Sequence, residues 1–265
     1  MKFDIFQLIS HEAPGIGLPE GGCVSLVYGY LLQLFHCDVY RNVIVNQIGV
    51  GMNELVLKKG TYAHVNIQYT INGDFRRMSI DERNRIRLNI IHTAMLRLAS
   101  EDSRIESSKL ESIKETILEN NFLFDIPYKS FENKKHPAWI IKVIVRPSED
   151  VFRFFAILEK DSIRKCEILI YSGATTDYYF DYFFSSGKWN GELSFVLFGK
   201  KKEQEIHITL EHCKMNVVNL TSYPSPPFFT LLRRDISLEE REKAYKDFHH
   251  LLPPAIGGFV DFTPN

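Results

Sequence analysis

The sequence predicts an α+β fold with two mainly antiparallel β regions, a central helical hairpin and a C-terminal helix. Segments rich in Val, Ile and Tyr alternate with turn residues before residue 75 and again after residue 137. Apolar residues recur at helical spacing between about residues 79 and 119. We divide the chain into residues 1–133 and 134–265 and leave open whether the two parts form one compact domain.

The first β region follows an opening rich in Pro and Gly between Pro14 and Gly22. Four segments rich in Val, Ile and Tyr come next, and glycine-containing turns separate them, so we predict strands joined by turns. The four segments are Cys23–Phe35, Val39–Ile48, Glu54–Lys58 and Tyr62–Ile71.

Two glycine patterns resemble nucleotide-binding turns. A dinucleotide-binding turn needs a strand before it and a helix after it, so that the helix N-terminus faces the pyrophosphate. The segment Gly15–Gly21 shows neither in the sequence, and Gly49–Gly51 lies between two predicted strands. We interpret both as ordinary turns and predict no cofactor.

The helical hairpin is the most strongly patterned part of the chain. Ser79 can cap a helix, and Glu82, three residues later, can complete a capping box. Helical spacing then predicts a helix over about residues 79–100, and a second helix over Ser107–Glu119 ends at Asn120-Asn121. The apolar positions of the first helix are Ile80, Leu88, Ile91, Met95 and Leu98, and those of the second are Leu110, Ile113, Ile117 and Leu118.

The second β region consists of short segments at hairpin spacing, which indicates an antiparallel sheet. A final helix is predicted over Ser237–His249, because Ser237 and Glu240 have the spacing of another capping box. The predicted strands are Ala138–Val145, Val151–Leu158, Cys166–Tyr171, Glu192–Phe198 and Gln204–Leu210.

Bulk properties exclude several function classes. The formal net charge of −1 gives no basic field of the kind that attracts nucleic acid without sequence preference. Asp4 interrupts what would be the apolar core of a signal peptide, and the longest apolar stretch is well short of the roughly 20 residues that span a bilayer. We therefore expect a cytoplasmic protein without a membrane span.

The four cysteines lack the close C-x-x-C spacing of metal and redox motifs. We expect them to be reduced thiols that are mostly buried as small apolar side chains, and we predict no metal site. They are Cys23, Cys37, Cys166 and Cys213.

The stretch Thr175–Trp189 is unusually rich in aromatic residues. Periodicity leaves open whether residues 176–187 form a strand or a helix that Thr176 caps and Gly187 ends. Such a cluster is either aromatic core material or a recognition surface, because Tyr and Trp serve as rigid anchors at interfaces. The candidate binding residues are Asp177, Tyr178, Tyr179, Asp181, Tyr182 and Trp189.

A second candidate surface is an arginine flank on the first helix. Arg83, Arg87 and Arg97 recur along one side of it, within a region of six arginines from Arg76 to Arg97. Guanidinium groups bind phosphate and carboxylate bidentately, so the flank could hold an anion or nucleic acid. The alternative is a solvated helix face.

The polar face of one predicted strand is the last candidate site. Glu205 and His207 are two residues apart and therefore lie side by side on a strand, where they could form a general acid/base pair. No third partner is visible in the sequence. An enzyme whose active site is dispersed, with these residues, His64 or the arginines in one cleft, is the alternative function.

The sequence contains no complete catalytic motif, so we assign no catalytic residue. Together with the near-neutral charge and the many aromatic residues, this favours a protein that binds another protein, in an inhibitory or immunity-like role. The oligomeric state and the identity of the partner are open.

Overall fold

A computed structural model describes most of the chain and confirms a mixture of helices and strands. The described residues are 5–10, 15–17, 21–148, 151–174, 184, 186–198, 204–210, 212–219, 237, 239, 240 and 243. Within them lie three α-helices and three four-stranded sheets. None of the described helices is long and apolar enough to cross a membrane.

The chain forms two compact units, each discontinuous in sequence. The first comprises Met1–Ile126, Arg146–Phe152 and Thr175–Asp177, and the second comprises the remainder. The predicted division after residue 133 stays a prediction.

The first unit contains one sheet and all three described α-helices. Its strands pair in the order β1-β2-β4-β3, with β1, β2 and β4 parallel and β3 antiparallel to β4. The elements are β1 (Ile5–Ser10), α1 (Gly22–Leu34), β2 (Asn42–Ile48), β3 (Leu55–Lys59), β4 (Tyr62–Gln68), α2 (Ile80–Glu101) and α3 (Ser107–Glu119).

The predicted strand Cys23–Phe35 is wrong, because this segment forms helix α1. Nine residues of α1 are buried, and a helix that is apolar on most sides cannot be told from a buried strand by periodicity. The correction changes the topology. A helical crossover from β1 to β2 lets these strands run parallel, so this β region is not mainly antiparallel.

The glycine-rich segment consequently does lie between a strand and a helix. Gly17 is required for close packing, because a Cβ there would come 2.7 Å from the carbonyl oxygen of Leu8. The expectation that no strand precedes and no helix follows this segment is therefore wrong. The spacing of Gly15, Gly17 and Gly21 still departs from the G-x-G-x-x-G fingerprint, so we assign no ligand here.

The helical hairpin is present as predicted. Ser79 Oγ accepts a hydrogen bond from the Glu82 backbone N–H at 3.3 Å, and Glu82 Oε2 accepts one from the Ser79 N–H at 2.8 Å. Ile80 is an exception to the predicted apolar stripe, because it is exposed. The other apolar positions of α2, namely Leu88, Ile91, Met95 and Leu98, are buried, as are Leu110, Ile113 and Ile117 of α3.

The second unit contains most of two further sheets. The first has the order β5-β6-β7-β8, and the second is antiparallel with the order β12-β11-β10-β9. All five strands predicted after residue 137 are present. The elements are β5 (Ile126–Glu132), β6 (Trp139–Pro147), β7 (Val151–Lys160), β8 (Ile163–Ala174), β9 (Ser186–Trp189), β10 (Ser194–Phe198), β11 (Gln204–Thr209) and β12 (Lys214–Asn219).

A disulfide in the second unit corrects the prediction of four reduced thiols. Cys166 on β8 is bonded to Cys213 in the β11–β12 turn, and their Cα atoms are 5.9 Å apart. The bond therefore links a strand of one sheet to a turn of the other. Cys23 and Cys37 form no disulfide and are buried, as expected.

The predicted C-terminal helix lies mostly outside the described residues. Its start is described at Ser237, where the hydroxyl accepts a hydrogen bond from the Glu240 N–H at 3.2 Å and Glu240 Oε2 accepts one from the Ser237 N–H at 3.0 Å. The second capping box is therefore confirmed.

Candidate binding site

A cleft of about 330 Å³ in the second unit, which we call the lysine cleft, is the candidate binding site. The turn after β5 forms one side, and β9 with its following turn forms the other. The lining residues are Glu132, Asn133, Lys134, Lys135, Gly187, Lys188, Trp189 and Gly191.

Asn133 holds the two sides of the lysine cleft together. Its side chain is buried, and its Oδ1 accepts hydrogen bonds from the backbone N–H groups of Lys135 at 3.1 Å and His136 at 3.2 Å. Its Nδ2 donates to the carbonyl oxygen of Gly191 at 2.9 Å. An asparagine that closes its own turn in this way fixes the direction of the lysine backbone.

Trp189 is fixed at the other side of the cleft. Its indole Nε1 donates to the carbonyl oxygen of Phe131 at 3.0 Å, and its ring centroid lies 5.3 Å from that of Phe195. Phe195 is buried and also packs against Phe131, with ring centroids 5.1 Å apart. The indole is therefore preorganised, and its half-exposed part can contact a ligand without losing much conformational freedom.

The lysine cleft carries excess positive charge. Lys134, Lys135 and Lys188 are exposed, and none of them forms an ion pair with any residue that the structure describes. Glu132 contributes a single carboxylate to the lining. Three exposed lysines against one carboxylate, beside a fixed indole, form a site for an anionic group.

Of the aromatic candidates, Trp189 alone lies within the described residues. Asp177, Tyr178, Tyr179, Asp181 and Tyr182 lie outside them. Gly187 belongs to strand β9, so a helix cannot extend to it.

The described part of the aromatic stretch also contributes to the core. Phe184 is fully buried, and its ring centroid lies 4.9 Å from that of Phe154 and 6.2 Å from that of Tyr171. The stretch Thr175–Trp189 therefore supplies both core material, at Phe184, and a lining residue of the cleft, at Trp189.

The three arginines of the flank differ in their surroundings. Arg87 is 1% exposed, and its guanidinium donates to the carbonyl oxygens of Gly15 and Ile16 and to Asn84 Oδ1. Arg97 is exposed and pairs with Glu101 at 3.3 Å, while Arg83 is half-buried. Arg87 thus holds the glycine-rich segment against α2. Anion binding by this flank stays a prediction.

Glu205 and His207 do form a pair. Their side chains are joined by a hydrogen bond of 2.8 Å between Glu205 Oε2 and His207 Nε2, and both are partly exposed. No cluster of three potential metal ligands occurs among the described residues. His64 belongs to the first unit, whereas Glu205 and His207 belong to the second.

A buried histidine joins the three helices of the first unit. His92 Nδ1 lies 3.2 Å from the Tyr28 hydroxyl, and His92 Nε2 lies 3.2 Å from Glu111 Oε1. Burial lowers the pKa of His92 and raises the pKa of Tyr28. Because α1, α2 and α3 each supply one member, the cluster stabilises the packing of the helices.

The chain matches no protein-family model, and neither the curated proteins nor the solved structures contain a match. The function must therefore be inferred from the geometry of the sites.

Sequence reasoning missed the lysine cleft, except for Trp189. Its two sides are more than fifty residues apart in the chain. A local signal exists at each side, because lysines follow Asn133 and precede Trp189. The sequence does not show, however, that the ends of β5 and β9 lie together in the fold.

Proposed function

We propose that this protein binds another protein, and that the lysine cleft receives an acidic segment of the partner. The observation that carries the proposal is the set of three lysines without ion-pair partners in the described structure, arranged around the fixed indole of Trp189. Charge complementarity of this kind selects partners and accelerates their association.

The lining of the cleft favours a peptide segment over a small molecule. Pockets for small molecules are mostly apolar with a few polar groups, and they usually range from about 300 to 1,000 Å³. This cleft lies at the lower end of that range, and three lysines and one glutamate are among its eight lining residues. A carboxylate side chain paired with the lysines, with an apolar neighbour on the indole, matches such a lining.

An inhibitory or immunity-like role is the class of protein binding that we propose. A cytoplasmic location remains part of the prediction, although the Cys166–Cys213 disulfide weighs against it, because cytosolic thiols are generally kept reduced. Thiol trapping in the native host, followed by mass measurement, would determine the state of this pair.

Trp189 provides a direct test, because the chain contains only one other tryptophan, Trp139. In a Trp139→Phe protein, titration with a hexaglutamate peptide should change the fluorescence of Trp189 in a salt-dependent way. Reversing the charge of Lys134, Lys135 and Lys188 to Glu should weaken binding about tenfold or more, at roughly 0.5 kcal/mol for each exposed pair.

Lys59→Glu is the matched control, since Lys59 is an exposed lysine of the first unit. It should leave the affinity unchanged. Equal affinity of the triple variant and the control would contradict the proposal. Affinity capture from the native host should recover a partner with the wild-type chain and lose it with the triple variant. If no such partner is recovered, the proposal is likewise contradicted.

The hydrogen-bonded pair Glu205–His207 supports the alternative, an enzyme whose active site is dispersed in sequence. A hydrolytic activity that Glu205→Gln and His207→Gln each abolish, while the charge-reversed cleft retains it, would favour that alternative.

A further inference from the structure

Strand β3 forms an edge of the first sheet. It is the last strand in the order β1-β2-β4-β3, and among the described residues no strand pairs with its outer side. Its leucines are large and apolar, yet Leu55 and Leu57 are 44% and 50% exposed. Such an edge can pair with a strand of another chain, because its outer backbone groups are open to hydrogen bonding. We call β3 together with the preceding Glu54 the open edge.

The hydrogen bonds of the neighbouring strands show which backbone groups of the open edge point outward. The Asn42 N–H on β2 donates to the carbonyl oxygen of Thr61, directly before β4, so the odd-numbered residues of β4 direct their backbone groups toward β2. The even-numbered residues of β4 therefore bond to β3, where they pair with odd-numbered residues. The backbone N–H and C=O groups of Glu54, Val56 and Lys58 consequently point away from the sheet.

Two copies of the open edge match each other when they run antiparallel about a twofold axis at Val56. In this register Glu54 of each copy lies opposite Lys58 of the other, and Leu55 lies opposite Leu57. Because side chains alternate along a strand, the opposite charges lie on one face of the joined sheet and the leucines lie on the other. Each contact occurs twice, once on either side of the axis.

The neighbouring registers do not match in this way. With the axis at Leu57, Leu55 lies opposite Lys59, and with the axis at Leu55, Val56 lies opposite Glu54. Both registers lose the two ion pairs, and each places a charged side chain opposite an apolar one. The side chains of the open edge therefore specify the register about Val56.

Glu54 and Lys58 can form these ion pairs without losing their bonds within the chain. Both are exposed, Glu54 Oε1 accepts a hydrogen bond from the Gln68 backbone N–H at 2.9 Å, and Lys58 Nζ donates to the carbonyl oxygen of Glu101 at 2.6 Å. A carboxylate has a second oxygen, and an ammonium group has two further N–H donors. Both side chains are already held in place, so an ion pair across the interface costs less conformational entropy.

We propose that this chain forms a symmetric dimer in which the open edges of two copies pair antiparallel about Val56. Backbone hydrogen bonds then join Val56 to Val56 and Glu54 to Lys58, so the two four-stranded sheets become one continuous sheet. The contact is short and buries less surface than a standard interface, so the dimer dissociates on dilution. It involves the first unit and is independent of the lysine cleft.

Sedimentation velocity of the full chain over a range of concentrations tests the dimer. The wild type should show a monomer–dimer equilibrium. Leu57→Glu places a carboxylate opposite Leu55 on both sides of the axis, so it should raise the dimer dissociation constant about tenfold or more. Leu34→Glu is the matched control, because Leu34 is an exposed leucine of α1, which packs on β1 at the other edge of the sheet. It should leave the dissociation constant unchanged.

An exchange of charges tests the register. Glu54→Lys places lysines opposite each other on both sides of the axis, so it should raise the dissociation constant about tenfold. Combining Glu54→Lys with Lys58→Glu restores opposite charges across the interface and should return the dissociation constant to that of the wild type. Both proteins lack the hydrogen bond from Gln68 to Glu54, so its loss cannot explain a difference between them.

Three outcomes would overturn the proposal. The first is a wild-type chain with native circular dichroism that stays monomeric up to millimolar concentration. The second is a dimer that Leu57→Glu weakens no more than Leu34→Glu, because such a dimer uses another surface. The third is a double variant that dimerises as weakly as Glu54→Lys alone, because the two charges then do not face each other.

Discussion

Replacing Arg87 by methionine tests the assignment of this buried arginine to the support of the glycine-rich segment. The substitution keeps much of the volume of the side chain and removes the guanidinium. It leaves the carbonyl oxygens of Gly15 and Ile16, and Asn84 Oδ1, without their donor. The stacking of the guanidinium on Phe75, 5.3 Å from the ring centroid, is also lost.

The magnitude follows from the number of bonds and their burial. Hydrogen bonds from a charged donor contribute about 1.5–3 kcal/mol each, and a buried acceptor left without a partner costs about 1–3 kcal/mol. Removing a buried charge recovers part of its desolvation, so the effects do not add fully. We expect the free energy of unfolding of the first unit to fall by about 3–4 kcal/mol.

Arg97→Met is the matched control on the same helix. Arg97 is exposed and forms an i,i+4 pair with Glu101, so its loss should cost no more than about 0.5 kcal/mol. Hydrogen exchange of α1 and α2 amides measures both variants without assuming that the two units unfold together. Losses of stability that are equal for Arg87→Met and Arg97→Met would refute the assignment.

Three further substitutions test other features of the fold. Cys213→Ser opens a disulfide that joins residues 47 apart, and chain entropy predicts a loss of up to about 4 kcal/mol in the second unit, measured by urea denaturation without reductant. Ser79→Ala removes the N-cap of α2 and should cost about 1 kcal/mol in the same assay. His92→Gln should flatten the pH dependence of stability. Since burial lowers the pKa of His92 in the folded state, the unfolded state binds more protons, and wild-type stability should fall as the pH decreases below about 6.5.

Two of these substitutions have a control variant, and the third has an outcome that would contradict it. Cys37→Ser alters a cysteine that forms no disulfide and should leave the stability of the second unit unchanged. Ser108→Ala lies within α3 without a capping role, so a cost equal to that of Ser79→Ala would contradict the importance of the cap. An unchanged pH profile in His92→Gln would show that His92 is protonated equally in both states.

Local chemistry made the hairpin predictable. Ser79 and Glu82 have the three-residue spacing of a capping box, and the apolar residues from Leu88 to Leu98 recur with the period of a helix. The start of the last helix at Ser237 was predictable for the same reason.

Non-local packing explains what the sequence did not reveal. Helix α1 is apolar on most sides because neighbouring elements cover it, so its period is lost and its type was misassigned. The disulfide between Cys166 and Cys213 depends on the register of two sheets. The hydrogen bond from Asn133 to Gly191 depends on it as well. Such contacts are set by tertiary structure.

The cysteines are distributed so that thiol modification reports on the opening of the first unit alone. Cys23 and Cys37 are the only thiols of the first unit, and both are buried, whereas the second unit holds only the bonded pair. Without reductant, an alkylating reagent can therefore modify the chain only when the first unit opens. The rate of modification then gives the opening free energy of that unit in the intact protein, with no introduced probe.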